Sequence, residues 1–260
     1  MRLTRPAWAA LTALSFSAPL SAGEVRAAVA SNFATPMQAL TAEFTHATGH
    51  HVMVTTGATG KLYAQIENGA PFDVFLAADE STPAKLESQG LAIEGTRFTY
   101  AVGKLVLYSA KPDYVDTQGA ILAHASFAHL AIANPKLAPY GAAAVAVLSA
   151  LRHFEVLRPK IVQGENIAQT LEFVVSGNAE LGFVALSQVW VQGAPRPGSM
   201  WIVPEELYPP LRQDAVELRD GAKNPAALAL LTFLQSDGAR AIIAAQGYGL
   251  SPTTPKRGGR

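Results

Sequence analysis

The chain contains no cysteine. Thiolate catalysis, disulfides and Cys-ligated zinc are excluded together, so an exported form must rely on its core alone. Net charge is also missing: 20 basic residues balance 20 acidic ones, and charged residues make up only 15% of the chain. A nucleic-acid binder needs a clustered basic face. The one dense basic cluster is the terminal PKRGGR, read as a frayed end, so no nucleic-acid partner is expected. Neither G-x-S-x-G nor H-E-x-x-H occurs. No nucleophile with a nearby base is visible, so no catalytic residue is assigned and the chain is read as a non-enzyme.

What is present begins with MRLTRPAWAALTALSFSAPLSAG. Arg2 and Arg5 precede an apolar run, Ala7 to Leu20, and small residues follow at Ser21, Ala22 and Gly23. That is the layout of a secretory signal peptide, residues 1–22, with cleavage near Ala22–Gly23. The run is shorter than the ~20 residues a membrane span needs. The expected location is the periplasm, and without a Cys after the run no lipid anchor is expected.

From Glu24 the pattern alternates strand and helix, which argues for parallel sheets flanked by helices. EVRAAVAS reads as a strand, and the following helix carries Met37, Leu40 and Phe44 on one face, Pro36 in its first turn and Gly49 at its stop. HVMVTTG and FDVFLAA read as strands, KLYAQIENG as a helix between them, and STPAKLESQG as a helix capped by Ser81 or Thr82. A second alternation follows: HLAIANP, YGAAAVAVLSALRHF, KIVQGE, NIAQTLEFVVSGNA, then LGFVALSQV as a strand. Two helical segments, breaking at Ser236–Gly238, close the chain and are returned to the first unit. The chain then crosses between units twice, near Thr99–Gly103 and near Arg212–Val216.

The turn GATGK, Gly57 to Lys61, is not a nucleotide P-loop. The first Gly of that motif would fall at Thr55, and Leu62 stands where a magnesium-binding hydroxyl belongs. A G-x-G-x-x-G fingerprint also fails. What remains is a strand, a small-residue turn and a helix start, which aims free N–H groups at a common point. The device recurs at Ser31–Asn32, at Pro139–Gly141 and at Asn166–Ile167. Each alone reads as a cap. Four facing one cleft, outside the carboxyl ends of the strands, make an anion site of neutral donors.

VASNFATPMQAL, GATGKLYAQIENGAPFDVFLAAD, NPKLAPYG and NAELGFVALSQV resemble the periplasmic molybdate-binding proteins of ABC importers, from about Glu24 to Tyr248. The resemblance implies an α/β, two-lobed periplasmic-binding-protein fold of type II. Each lobe would be a mainly parallel sheet flanked by helices, with two crossover strands. Lobe 1 would comprise residues 23–100 plus 214–260, and lobe 2 residues 101–213. It implies a monomeric receptor without a cofactor, closing on molybdate or tungstate and delivering it to an inner-membrane ABC permease. Carried over by position, the donors are Ser31 and Asn32, Thr59 with the amide of Ala58, and the backbone N–H groups of Tyr140 and Ile167. Some members place a Tyr hydroxyl where this chain has Ala185; Tyr140, by its ring, is the candidate to close the pocket instead.

The chemistry agrees. Molybdate is fully deprotonated near neutral pH and only accepts, so donors suit all its oxygens. Phosphate keeps a proton, and a buried unsatisfied group costs ~1–3 kcal/mol. Sulfate has the same charge and acceptors, so a receptor for another tetrahedral oxyanion stays open as an alternative. A metal-binding protein is a second one, on His46 and His50, although Gly49 breaks the helix between them.

Overall fold

The computed structural model describes residues 22–191 and 193–251. The segment read as a signal peptide lies outside them except for Ala22, and PKRGGR lies outside them entirely. Strand β1 (Glu24–Ala30) runs through a 3₁₀ turn at Ser31–Phe33 into α1 (Ala34–Thr48), then come β2 (His51–Gly57), α2 (Thr59–Glu67), β3 (Val74–Leu76), α3 (Ser81–Ser88) and β4 (Phe98–Gly103). The second unit holds β5 (Leu105–Ser109), α4 (Ile121–His124), β6 (Leu130–Ala133), α5 (Pro139–Ala150), α6 (Phe154–Leu157), β7 (Ile161–Gly164), α7 (Ile167–Val175), β8 (Leu181–Ala185) and α8 (Leu186–Val189). A short ribbon, β9 (Trp190–Val191) and β10 (Ala194–Pro195), leads to β11 (Ser199–Ile202). Strand β12 (Leu211–Glu217) then returns the chain to the first unit, where α9 (Pro225–Leu234) and α10 (Asp237–Ala245) complete the described fold.

Two five-stranded sheets result, in the orders β2-β1-β3-β12-β4 and β11-β5-β8-β6-β7. Sheets with helices on both faces bury their strands from both sides, and β1 shows this. Val25, Ala27 and Val29 pack with Met37, Leu40 and Phe44 of α1 and with α9 and α10. Ala28 faces the other way, onto Leu62, Ile66, Phe75 and Leu86. The helical face read from spacing in α1 is therefore the buried one. Gly49 ends that helix in the left-handed region (φ 74°), its N–H bonded to Thr45 O at 2.8 Å.

The structure departs from the sequence reading at three places. The sheets are mixed rather than mainly parallel: β1 pairs with β2 and β3, and β6 with β7 and β8, in parallel. The pairings of β12 with β3 and β4, and of β5 with β8 and β11, are antiparallel. Within the two five-stranded sheets all four antiparallel pairings involve β5 or β12, the strands on which the chain enters one unit from the other. Second, LGFVALSQV is not one strand. It breaks after Ala185, where Gln188 Oε1 accepts the Ala185 N–H at 2.9 Å and starts the turn of α8. Third, neither Ser81 nor Thr82 caps α3. Asp79 does, accepting from the Thr82 N–H at 2.7 Å and from its hydroxyl at 3.0 Å.

The chain leaves the first sheet after β4 and re-enters it at β12. The pairing register of these two strands shifts between Gln213 and Asp214. Such an irregularity re-aims side chains, and here both Gln213 and Asp214 are buried. Asp214 is held by Arg97 at 2.6 Å and by the Thr99 hydroxyl at 2.7 Å.

Helix α5 sits hard against the end of β6, because Gly141 has no side chain. A Cβ there would overlap the carbonyl of Ala133. Gly141→Ala is expected to destabilise the fold by ~1–3 kcal/mol, the range for overpacking a tight interior, read from urea unfolding. An unchanged midpoint would show that α5 can move off β6 freely.

Candidate functional site

The carboxyl ends of β1, β2 and β6 each lead into a helical turn, and α7 follows β7 after a short turn. Their first residues converge. Ser31, Asn32, Ala58, Thr59, Tyr140 and Ile167 all line one small cavity, with about 180 Å³ of atom-free space partly open to solvent. All six are buried. Ser31, Thr59 and Ile167 are the first residues of their helical segments, Tyr140 the second of α5, and Ala58 the residue before α2. N–H groups at such positions have no partner inside the helix. Each helix end also carries roughly half a positive charge.

The local bonding leaves hydrogens to give. Thr59 Oγ1 accepts the Ala78 N–H at 3.0 Å, so its own proton remains available. Asn166 caps α7, its Oδ1 accepting from Ala168 N at 2.9 Å and Gln169 N at 3.1 Å. That satisfies the second and third amides and leaves the first, Ile167, to point outward. None of the residues lining this cavity carries a formal charge.

Two side chains that belong to lining residues turn away from the cavity. Asn32 Nδ2 donates to Gln213 Oε1 and to Tyr248 Oη, both at 2.9 Å, so its side-chain amide is engaged by β12 and Tyr248. Tyr140 Oη accepts from Gln213 Nε2 at 3.1 Å and lies against Gly103, where any Cβ would overlap it. The phenol therefore faces the crossover strands. It does not stand in for the hydroxyl missing at Ala185, which is buried in β8 and is not among the lining residues.

Behind the cavity the network continues. Tyr248 Oη donates to Asn32 O at 2.9 Å, and Ser187 Oγ lies 2.9 Å from Tyr248 Oη. Tyr100 Oη donates to Ala77 O at 2.9 Å and stands 3.1 Å from Gln213 Oε1. Sequence reasoning missed Gln213, Tyr100, Tyr248 and Ser187. The one available signal was the polar pair Gln213-Asp214 inside a strand.

At the mouth, the Gly60 N–H donates to Leu137 O at 2.8 Å, and Lys61 Nζ meets Glu165 Oε2 at 3.3 Å. These contacts hold the two units together over the cavity. A larger cavity, about 960 Å³ of atom-free space, adjoins it and shares Ala78, Ala138 and Pro139. It is lined by Asp79, Glu80, Lys136 and Arg212. Two carboxylates oppose an anion there, and Arg212 is already engaged by Glu80 at 3.3 Å.

The two histidines weighed as cation ligands lie apart in character. His46 is exposed, whereas His50 is buried and accepts the Gly23 N–H on Nδ1 at 2.9 Å. Among the described residues no cluster of three His, Cys, Asp or Glu side chains is arranged to hold a cation.

Comparison with known proteins places this geometry in context. Residues 25–249 match the family model described as bacterial extracellular solute-binding protein. The chain is 58% identical over 229 residues to the molybdate-binding protein ModA of Azotobacter vinelandii, covering 88% of this chain and 91% of that one. It is 50% identical to ModA of Rhodobacter capsulatus over 90% of this chain and 92% of the relative. The solved structure of the Azotobacter vinelandii periplasmic molybdate-binding protein superposes with a TM-score of 0.86 at 43% identity, over 88% of this chain and all (100%) of that one.

Burial raises the pKa of the Tyr100, Tyr140 and Tyr248 phenols above the ordinary tyrosine value. With the folded value above the unfolded one, the folded state holds protons longer as pH rises. The contribution to stability is complete below the ordinary tyrosine pKa of ~10 and is lost above it. Urea unfolding between pH 8 and ~11 is expected to show stability falling only at the alkaline end. Stability rising there would contradict the burial of these hydroxyls.

Proposed function

The chain is a member of the molybdate-binding family of bacterial extracellular solute-binding proteins, and from that membership we propose that its small inter-lobe cavity captures molybdate with uncharged donors from both lobes. It is a transport receptor, not an enzyme, and works with an ABC importer. The observation that carries the site assignment is the convergence of Ser31, Asn32, Ala58, Thr59, Tyr140 and Ile167 on one cavity without a charged side chain. Hydroxyl and amide donors fit an ion whose oxygens only accept, and the absence of carboxylates leaves nothing to repel it.

Tungstate, with the same charge and tetrahedral shape, is expected to share the site. Residues 1–22 would direct export to the periplasm and be removed there. The mature chain would act as a monomer, with no cofactor and no nucleic-acid partner, and would present the captured ion to an inner-membrane permease. Lobe 1 is taken as 23–100 plus 214–260 and lobe 2 as 101–213. Those boundaries fall inside or beside β4 and β12, so opening would be a hinge motion absorbed by these two strands.

Calorimetry against molybdate, tungstate, sulfate and phosphate tests this reading. The first two are expected to bind far more tightly than the others. Ser31→Ala and Thr59→Ala should each weaken molybdate binding by ~1.5–3 kcal/mol, the range for a donor to a charged acceptor. Thr59→Ser, which keeps the hydroxyl, should retain most of the affinity. Sulfate binding as tightly as molybdate, or both alanine variants binding unchanged, would overturn the assignment.

A further inference from the structure

We infer that Gln213 is a positioning residue that couples the two halves of the anion site, making closure of the lobes and assembly of the donor set one event. This rests on the molybdate reading above. Gln213 is fully buried on β12 and is not itself among the cavity-lining residues. Its carboxamide has two ends, and each holds a residue of the site. Oε1 accepts from Asn32 Nδ2 at 2.9 Å, and Nε2 donates to Tyr140 Oη at 3.1 Å. Asn32 belongs to the sheet that contains β12, whereas Tyr140 belongs to α5, which packs on the other sheet. One side chain thus spans the joint between the lobes.

The bonding also fixes the amide's orientation. Asn32 presents Nδ2, so Gln213 presents oxygen there and nitrogen toward Tyr140. Gln213 and Asp214, successive residues of a strand buried on both faces, bond different partners where the register shifts. Gly103 leaves the space in which the Tyr140 hydroxyl and the Gln213 amide meet; a Cβ at that position would overlap both. Tyr140 and Asn32 carry donor amides toward the cavity on their backbones while their side chains meet at Gln213. A rotation that parts the lobes therefore separates the donors and strains or breaks the Gln213–Tyr140 bond together.

Two variants separate this role from a merely structural one. Tyr140→Phe keeps the backbone donor and removes only the acceptor for Gln213. It is expected to weaken molybdate binding about three- to tenfold, as loss of one buried hydrogen bond allows. The urea midpoint of the ligand-free variant, read alongside, separates the cost to the fold from the cost to binding. Gln213→Glu places an ionisable group behind the anion. The charged and titratable groups around it are Tyr100, Tyr140 and Tyr248, with Asp214 beside it paired to Arg97. Burial raises a carboxyl pKa, so the affinity of Gln213→Glu relative to the unaltered protein should fall as pH rises through neutrality.

The unaltered protein is titrated with molybdate in parallel. If it takes up no molybdate, the functional reading itself fails. If it does, the positioning role alone is overturned by a Tyr140→Phe protein of equal affinity, or by a Gln213→Glu protein whose relative affinity does not move with pH.

Discussion

Everything in this molecule that bears on function depends on unpaired N–H groups at the starts of helices. A helix cannot satisfy its own first amides, and its dipole makes that end a place for negative charge. One such end is an ordinary structural feature. Here the residues opening the 3₁₀ turn before α1, and those at the starts of α2, α5 and α7, face a single small cavity, so the partial charges and donors add while no full charge enters. A site built this way grips a fully deprotonated oxyanion and has nothing to offer a ligand that must donate. The nearby larger cavity shows the contrast: it has more room and more charge, yet its carboxylates and the Arg212–Glu80 pair make it a poor home for a dianion.

Those helix ends are contributed by both sheets. The antiparallel pair β4 and β12 lies where the chain passes between them, and Asn32, Ser187 and Gln213 are buried polar residues gathered behind that pair. Buried polar networks are stable only when their members are satisfied. Asn32, Gln213, Tyr100, Tyr140, Tyr248 and Ser187 meet that condition by bonding one another and nearby carbonyls. The network thus lies between the two sheets, one layer behind the residues that line the small cavity.

Much of this was legible in the sequence, because the relevant signals are local. The spacing of Met37, Leu40 and Phe44 named the buried face of α1, and Gly49 named its end. The small-residue turns before each helix named residues that line the small cavity, and the family resemblance grouped them. The departures arise where a distant segment decides. Asp79 caps α3 from outside the helix, and no propensity distinguishes it from Ser81. The apolar run after Leu181 looks continuous, but Gln188 folds back on Ala185 and ends the strand. The antiparallel pairings depend on which way a strand returns from the other lobe, and sequence alternation does not record direction. Gln213 was visible as a polar residue in an apolar strand, yet its partners lie 181 and 73 positions away along the chain.

The most direct test of the central claim is to locate the ion by the anomalous scattering of molybdenum in crystals of the molybdate complex. The account predicts a single peak in the small cavity, within hydrogen-bond reach of the Ser31 and Thr59 hydroxyls and of the backbone amides of Ala58, Tyr140 and Ile167, with no charged side chain touching it. A peak in the larger cavity against Lys136 or Arg212 would contradict it.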